Sequence, residues 1–378
     1  MMSLNLNFIG DLMLGGDFSQ NFESYIDTCI PTQLFEWLGQ DPVFSNLEAA
    51  ASNRGARVSD KISVYTKKEP LDLLTKLNVR CVSLANNHIM DFGYTAAEDT
   101  MDSLEKLGIA YSGCGRNLSH ATMPAIIEHE GYRIVFHAFS WTERFYERVQ
   151  EATTAEPGVA PIEFELIKNR IESSKFKNPQ AIHIVSLHWG EGMVQYPRPD
   201  QVKFARSLSE IGVDIVFGHH PHCIQGVEIF NNMPIIYSAG NFIASAYKRT
   251  PDKMLTFDDG WHRKRFNRER SVAIFKLTRS NSGQWSIRTK YYKQHKDKPI
   301  LEIPSLYQKF SIFFSFRLSS FLLKRKTYML FFPFVRRLNE ITRLVDEIHT
   351  RNGIFRSIFK FKSYGLVIRR IMKSEEYH

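Results

Sequence analysis

The sequence predicts an α/β fold rich in βαβ units, and two observations carry that expectation. Short apolar, β-branched or aromatic runs recur through residues 1–300, and each is followed at once by polar residues able to bind a metal. Between several of these runs lie amphipathic stretches of helical period. Continuous apolar runs suit strands buried on both faces, and helices alternating with them build a layered sandwich. Ligands of α/β sheets bind in the crevice beyond the carboxyl ends of the strands, so the polar residues after each run are expected to converge there.

The first run, LNFIG, ends at Asp11. DPVFS leads into Asn46-Leu47-Glu48, and VRCVSLA into Asn86-Asn87-His88. A helix follows, with Thr95-x-x-Glu98 as a capping box, Ala97, Met101 and Leu104 on one face, and Gly108 as its end. AIHIVSL then delivers His188. A second helix is expected to start at Asp200, bury Val202, Ala205, Leu208 and Ile211, and stop at Gly212. DIVFG opens into His219-His220-Pro221-His222, and PIIYSAG into Asn241. The pair SVAIFKLTRS and QWSIRTKYY, joined by NSG, reads as a hairpin completing the domain.

Residues i and i+2 of an extended segment point the same way. His220 and His222 are therefore expected to address one centre, with Pro221 stiffening the backbone between them and His219 pointing elsewhere. Neutral imidazole suits first-row divalent metals, Asp11 and Glu48 bring negative charge, and Asn87 can ligate through its side-chain oxygen. His188 is the third imidazole. Taken singly, His188 or Asp11 reads as an ordinary hydrogen-bonded loop residue; their joint occurrence at five strand ends gives the pattern its weight. His129, His137 and His183 fall outside it, and the last two, inside apolar runs, are expected to be satisfied core or strand histidines. Asp17 and Asp91 are candidate carboxylates behind the ligands, although Asp91 could equally stabilise the turn before Gly93. Asn46, Glu191 and Arg198 are candidate substrate contacts. Arg198 has the forked donor geometry of an anion clamp, while Pro197-Arg198-Pro199 reads equally well as an exposed approach to a helix. Asn241 is expected to fix loop geometry and Phe242 to be core.

Composition sets the class. With 43% hydrophobic and 24% charged residues the chain is an ordinary globular one, so disorder is set aside for most of it. The four cysteines lack C-x-x-C spacing and read as reduced thiols. MMSLNLNFIGD shows no basic region followed by a long apolar stretch, so the expected location is cytoplasmic, with the inner membrane face as a peripheral option. Residues 301–378 hold 15 Lys+Arg against 6 Asp+Glu, which accounts for the whole net charge of +9. That tail is also rich in Phe, but Arg317 and Lys324-Arg325-Lys326 interrupt it below the roughly 18 apolar residues a membrane span needs. It fits helices packed on the domain or a segment lying on an anionic membrane. Nucleic-acid binding has no motif behind it.

The segments GDLML, NLE, LANNHIMDFG, SLHWG, GHHPHCIQGVE and YSAGNF, in this order, resemble the motif set of the CapA-type capsule biosynthesis proteins. That family is associated with poly-γ-glutamate capsules and belongs to the calcineurin-like metallophosphatase superfamily. The resemblance implies a four-layer α/β/β/α sandwich, expected over residues 1–296; residues 297–378, by their composition, are expected to be a basic, aromatic, mainly helical C-terminal extension. It implies Asp11, Glu48, Asn87, His188, His220 and His222 as ligands of one or two divalent ions (Mn, Fe or Zn), Glu48 as the bridge and His88 as the proton donor. Two metals about 3.5–4 Å apart lower the pKa of a shared water and clamp an oxyanion, which suits hydrolysis of phosphoester-like bonds in an anionic small molecule or polymer. The alternative is a membrane-associated assembly or export factor that binds polymer without breaking it. In one place the chain departs from the superfamily pattern. The residue two after Asp11 is Met13 where Asp-x-His is usual, which leaves one metal position short of a ligand unless water or Asp17 substitutes.

Overall fold

A computed structural model describes residues 3–58, 63–142, 149–245, 248–249, 255–256, 269–323, 328, 332–334 and 337. Two sheets face each other. The first has Leu4–Met13 at its centre, paired in parallel with Val43–Leu47, which pairs with Val79–Ser83, which pairs with Ala110–Ser112. On its other side Leu4–Met13 meets the hairpin Ser271–Arg279 and Trp285–Gln294, and Leu301–Glu302 closes that edge. The second sheet runs Val227–Phe230, Met233–Ile236, Ile215–His219, Ile182–His188, Tyr132–Ser140 and Ala125–His129. Its four inner strands are parallel and its two edges antiparallel.

Strand periodicity explains how the layers form. Successive residues face opposite sides, so Phe8 and Phe44 of the first sheet enter the space between the sheets with Phe136, Ile184 and Phe217 of the second. Phe8 meets Phe217 edge-on at 4.9 Å between ring centres. Their neighbours face outward. Ile9, Val43 and Val82 pack under Thr32–Leu38 and Gly93–Lys106, while Val185, Leu187 and Val216 pack under Phe164–Lys177 and Pro199–Ser207. The fold is the four-layer α/β/β/α sandwich. The four cysteines are buried thiols, with no disulfide among them.

Two expected helix starts shift. Gly93–Lys106 begins two residues before Thr95, after Phe92, and no side chain caps it. The start is set instead by the tight turn in which the Gly93 amide donates to the Met90 carbonyl, so Thr95 lies inside the first turn. Ala97, Met101 and Leu104 are buried as expected, and Gly108 sits just past the end at φ +68°. Pro199–Ser207 begins one residue before Asp200, and the Gln201 side chain accepts the Arg198 amide at 2.9 Å. Val202, Ala205 and Leu208 are buried, whereas Ile211, in the tighter turn that follows, is only partly covered.

Asn241–Ala244 lies parallel to the end of Leu4–Met13, in register Asp11 with Asn241. That approach requires glycine at position 10, because an added Cβ would stand 2.1 Å from the Gly240 carbonyl oxygen. In the tail, the helix Leu306–Leu323 sets Ile312 and Phe316 against Phe275 and Tyr291. No helix among the described residues is long and apolar enough to cross a membrane. Lys324-Arg325-Lys326 and residues 338–378 lie outside the described residues.

Candidate metal centre

The parallel strands of both sheets deliver their carboxyl ends to one place. Asp11 lies in register with Asn46, and the Glu48 amide donates to the Leu12 carbonyl, which brings both carboxylates together at the end of the first sheet. Asn87 and His88 follow Val79–Ser83, while His188 and His219 are the last residues of adjacent strands in the second sheet.

Among the described residues, two sets of donor atoms close enough to hold an ion emerge, Glu48 with His188 and His220, and Asp11 with Glu48 and His222. Glu48 belongs to both. Its Oε1 lies 3.7 Å from His188 Nε2 and 3.6 Å from His222 Nε2. His222 Nδ1 lies 3.5 Å from Asp11 Oδ2. Asn87 Oδ1 sits 2.8 Å from His188 Nε2, which is in turn 3.2 Å from His220 Nδ1. The structure thus brings together all six residues that the resemblance assigned as ligands.

The donor chemistry fits divalent cations. Asp11 and Glu48 are both fully buried, and buried carboxylates require compensating positive charge. Asp11 Oδ2 faces His222 Nδ1 at 3.5 Å. Burial pushes the Asp11 carboxyl up, but hydrogen bonds and charge from His219 and His222 outweigh it, so the pKa ends well below the usual range. His188 is driven well below its ordinary value by burial, reinforced by His220, and is therefore a neutral imidazole, the form that binds metal. Burial lowers the His222 pKa too, but the hydrogen bond to Asp11 and that carboxylate's charge raise it overall.

The loop carrying the histidines is not extended. His220 has φ +92° and His222 φ +54°, in the left-handed region that L-residues with side chains avoid. Alternation therefore does not explain how their rings converge, and it fails for His219 as well. Expected to point elsewhere, His219 is buried with Nδ1 2.7 Å from Asp11 Oδ1. It is the last residue of its strand and shares the inner face with Ile215 and Phe217, a parity the sequence already contained.

The bracing residues are amides. Asn46 Nδ2 donates to Asp11 Oδ1 at 3.0 Å and Glu48 Oε2 at 3.2 Å, while its Oδ1 accepts from Asn86. Expected as a substrate contact, Asn46 is instead wholly buried and holds the two carboxylates in place. Asn86, which the sequence did not single out, also donates to the Leu47 carbonyl and accepts from the amides of His88 and Ile89. Asn241 Oδ1 sits 3.0 Å from His222 Nδ1, fixing that loop, and Phe242 is core. His88 Nδ1 lies 2.7 Å from Asp91 Oδ2, which fixes its ring and leaves Nε2 as the nitrogen Asp91 does not engage.

Other expected groups lie on the rim or away from the centre. Arg198 is held by both oxygens of Asp200 at 2.9 and 2.8 Å, stands 3.7 Å from Glu191 and lies over the Trp141 ring. The Trp141 amide donates to the His188 carbonyl, so this cluster borders the centre. Asp17 is held by Asn21 and Tyr25 and belongs to neither donor set. Met13 is buried against Ala49, Val64 and Ala244.

A family model described as the bacterial capsule synthesis protein PGA_cap matches residues 5–246, a span that contains both donor sets. The chain is 28% identical over 294 residues to the PGA biosynthesis protein CapA of Bacillus subtilis (strain 168), covering 75% of this chain and 70% of the relative. It is 27% identical over 269 residues to the capsule biosynthesis protein CapA of Bacillus anthracis, covering 69% and 61%. A probable polyglutamine synthesis accessory protein of Mycobacterium tuberculosis is 31% identical over 212 residues, with 54% and 55% covered. The matches thus span between roughly half and 70% of these relatives' own lengths. Among solved structures, Thermus thermophilus sulfate thiohydrolase SoxB aligns at TM-score 0.40 and 11% identity, over 79% of this chain and 45% of that one. The protein TT1561, also of Thermus thermophilus, aligns at TM-score 0.38 and 7% identity, over 75% and 97%.

Proposed function

This chain belongs to the bacterial capsule synthesis protein family PGA_cap, and from that premise we propose that it is a metal-dependent hydrolase of phosphoester-like bonds serving capsule polymer metabolism. The observation that carries the reading is the single carboxylate, Glu48, common to two donor sets, with His88, the residue after Asn87, held by Asp91. Asp11, Glu48 and His222 would hold one ion, and Glu48, Asn87, His188 and His220 the other. When bound, such a pair of ions lowers the pKa of water and neutralises a developing oxyanion. The chain's own residues do the rest. Asn46 and His219 orient the carboxylates, and Asp91 holds the His88 ring so that Nε2 can protonate the departing oxygen. Arg198 takes a substrate anion only by exchanging it for Asp200, and Glu191 limits which anions approach.

A second reading, a polymer-binding assembly factor without turnover, is favoured by Met13. It stands where the superfamily has histidine, and the Asp11 set has three histidine or carboxylate donors among the described residues; the relatives, too, are named for biosynthesis or as accessories rather than for a reaction. Elemental analysis of the purified protein, followed by phosphomonoester and phosphodiester substrates with added manganese, separates the two. Bound metal with ester turnover supports the hydrolase; bound metal without turnover of any ester supports the binding factor.

A further inference from the structure

The helix Leu306–Leu323, LYQKFSIFFSFRLSSFLL, is apolar on both sides. One face is packed, with Ile312, Phe316, Ser319 and Leu323 buried. It is tied to both sheets, since Phe316 lies against Phe275 and Tyr291, and the Val227 amide donates to Ser320 Oγ. Arg206 also donates to the Leu323 carbonyl. The opposite face is a stripe of large apolar side chains at helical spacing. Tyr307 is 81% exposed, Phe310 64%, Phe314 58% and Phe321 50%, and Leu306, at 88%, lies at the stripe's edge. Soluble proteins rarely leave a contiguous apolar patch of this kind open unless something covers it.

Charge indicates what covers it. The helix contains no Asp or Glu, while Lys309 and Arg317 are exposed on it. Lys324-Arg325-Lys326 follows at once in the sequence, and residues 301–378 carry the chain's whole net charge. A two-fold contact with a second copy would set these cations against their own equivalents, because such an interface applies one patch to itself. The helix is not long and apolar enough to cross a bilayer. An aromatic face flanked by cations suits the interface of a membrane, where rings enter the headgroup boundary and Lys and Arg meet lipid phosphates. We propose that the exposed face of Leu306–Leu323 docks this protein on an anionic lipid surface. Because its other face is anchored to both sheets, docking holds the whole sandwich at that surface.

The test is co-sedimentation of the full chain with vesicles of phosphatidylcholine alone and of phosphatidylcholine mixed with phosphatidylglycerol. Binding is expected only to the mixed vesicles and should weaken as salt rises. Phe310→Ser with Phe314→Ser should weaken it at least about tenfold, with the thermal midpoint and metal content unchanged. Arg317→Glu, which leaves the aromatic stripe in place, should weaken it by about fivefold or more. Binding to neither vesicle, or equal binding by parent and both variants, overturns the proposal. A parent dimer in light scattering that the double substitution dissociates also overturns it and gives the face to a second copy.

Discussion

Acid should destabilise this fold through a pair of histidines that take no part in the candidate metal centre. His137 and His183 lie on neighbouring strands of the second sheet, on the face covered by Phe164–Lys177, with ring centres 6.0 Å apart. The sequence led us to expect satisfied core histidines. Both are buried, and neither ring nitrogen of His137 has a hydrogen-bond partner among the described residues. Burial pushes His137 from 6.5 down to about 3, with the charges of His183 and Arg170 adding to it. His183 falls to about 4 through burial and Lys175. Asp214 gives its carboxylate to the His183 backbone amide. The sign follows from linkage. Below about pH 6.5 the unfolded chain takes up a proton that the folded one refuses, so the stability present at neutral pH is lost as the pH falls toward the folded value. For His137 alone the loss between pH 7 and pH 5 is about 2 kcal/mol, a sizeable share of the roughly 5–15 kcal/mol that holds a fold together. Urea unfolding midpoints of the metal-free parent and of His137→Leu, at both pH values, measure it. The variant should be more stable by about 1 kcal/mol at pH 7, because two unpartnered buried nitrogens are gone, and the gap should widen by about 2 kcal/mol at pH 5. A gap that stays constant between the two pH values would refute the reasoning.

Three further outcomes are expected. Glu48→Gln should deplete both ions and His220→Asn only one, each with at least about a 10–100-fold loss of affinity, by elemental analysis at fixed free manganese; loss of a single ion in Glu48→Gln would show that the carboxylate is not shared. His88→Asn should keep fold and metal and slow turnover by about 10²–10⁴-fold, more severely on alkyl than on nitrophenyl phosphates, with Asp91→Asn showing the same preference in weaker form. Full activity of His88→Asn on both ester classes removes it as the proton donor. Gly10→Ala, whose new Cβ would meet the Gly240 carbonyl oxygen at 2.1 Å, should cost about 1–3 kcal/mol or more, and an unchanged melting temperature would contradict the close approach of the two segments.

What the sequence made legible was the strand ends. LNFIG, AIHIVSL and DIVFG are continuous apolar runs, so they could only be strands covered on both sides, and the residues following them had to meet at one edge of the fold. That logic placed Asp11, Glu48, His188 and the histidine loop before any geometry was known, while the order of the four layers came from the family resemblance. Where the reading failed, a tertiary contact had overridden a local rule. The i and i+2 alternation assumed an extended loop, yet the loop turns through left-handed backbone, and it was the strand before it that aimed His219 at Asp11. Thr95 and Glu98 form a sound capping box on paper, but the turn after His88 starts the helix earlier. Asn46 reads as a substrate contact because its neighbours in the sequence say nothing of the two carboxylates it holds.

The left-handed backbone at His220 and His222 sets a trap for anyone who improves this protein by heat. Glycine adopts such conformations without penalty and asparagine with little, whereas histidine is held there at about 1–2 kcal/mol each. A library screened only for thermal tolerance in the absence of metal would therefore be drawn to His220→Gly, whereas His222 is retained by its contact with the buried Asp11 carboxylate, and its best-ranked survivors would be those that had given up a ligand. Selection that keeps manganese in the medium and scores retained metal would have to run beside it.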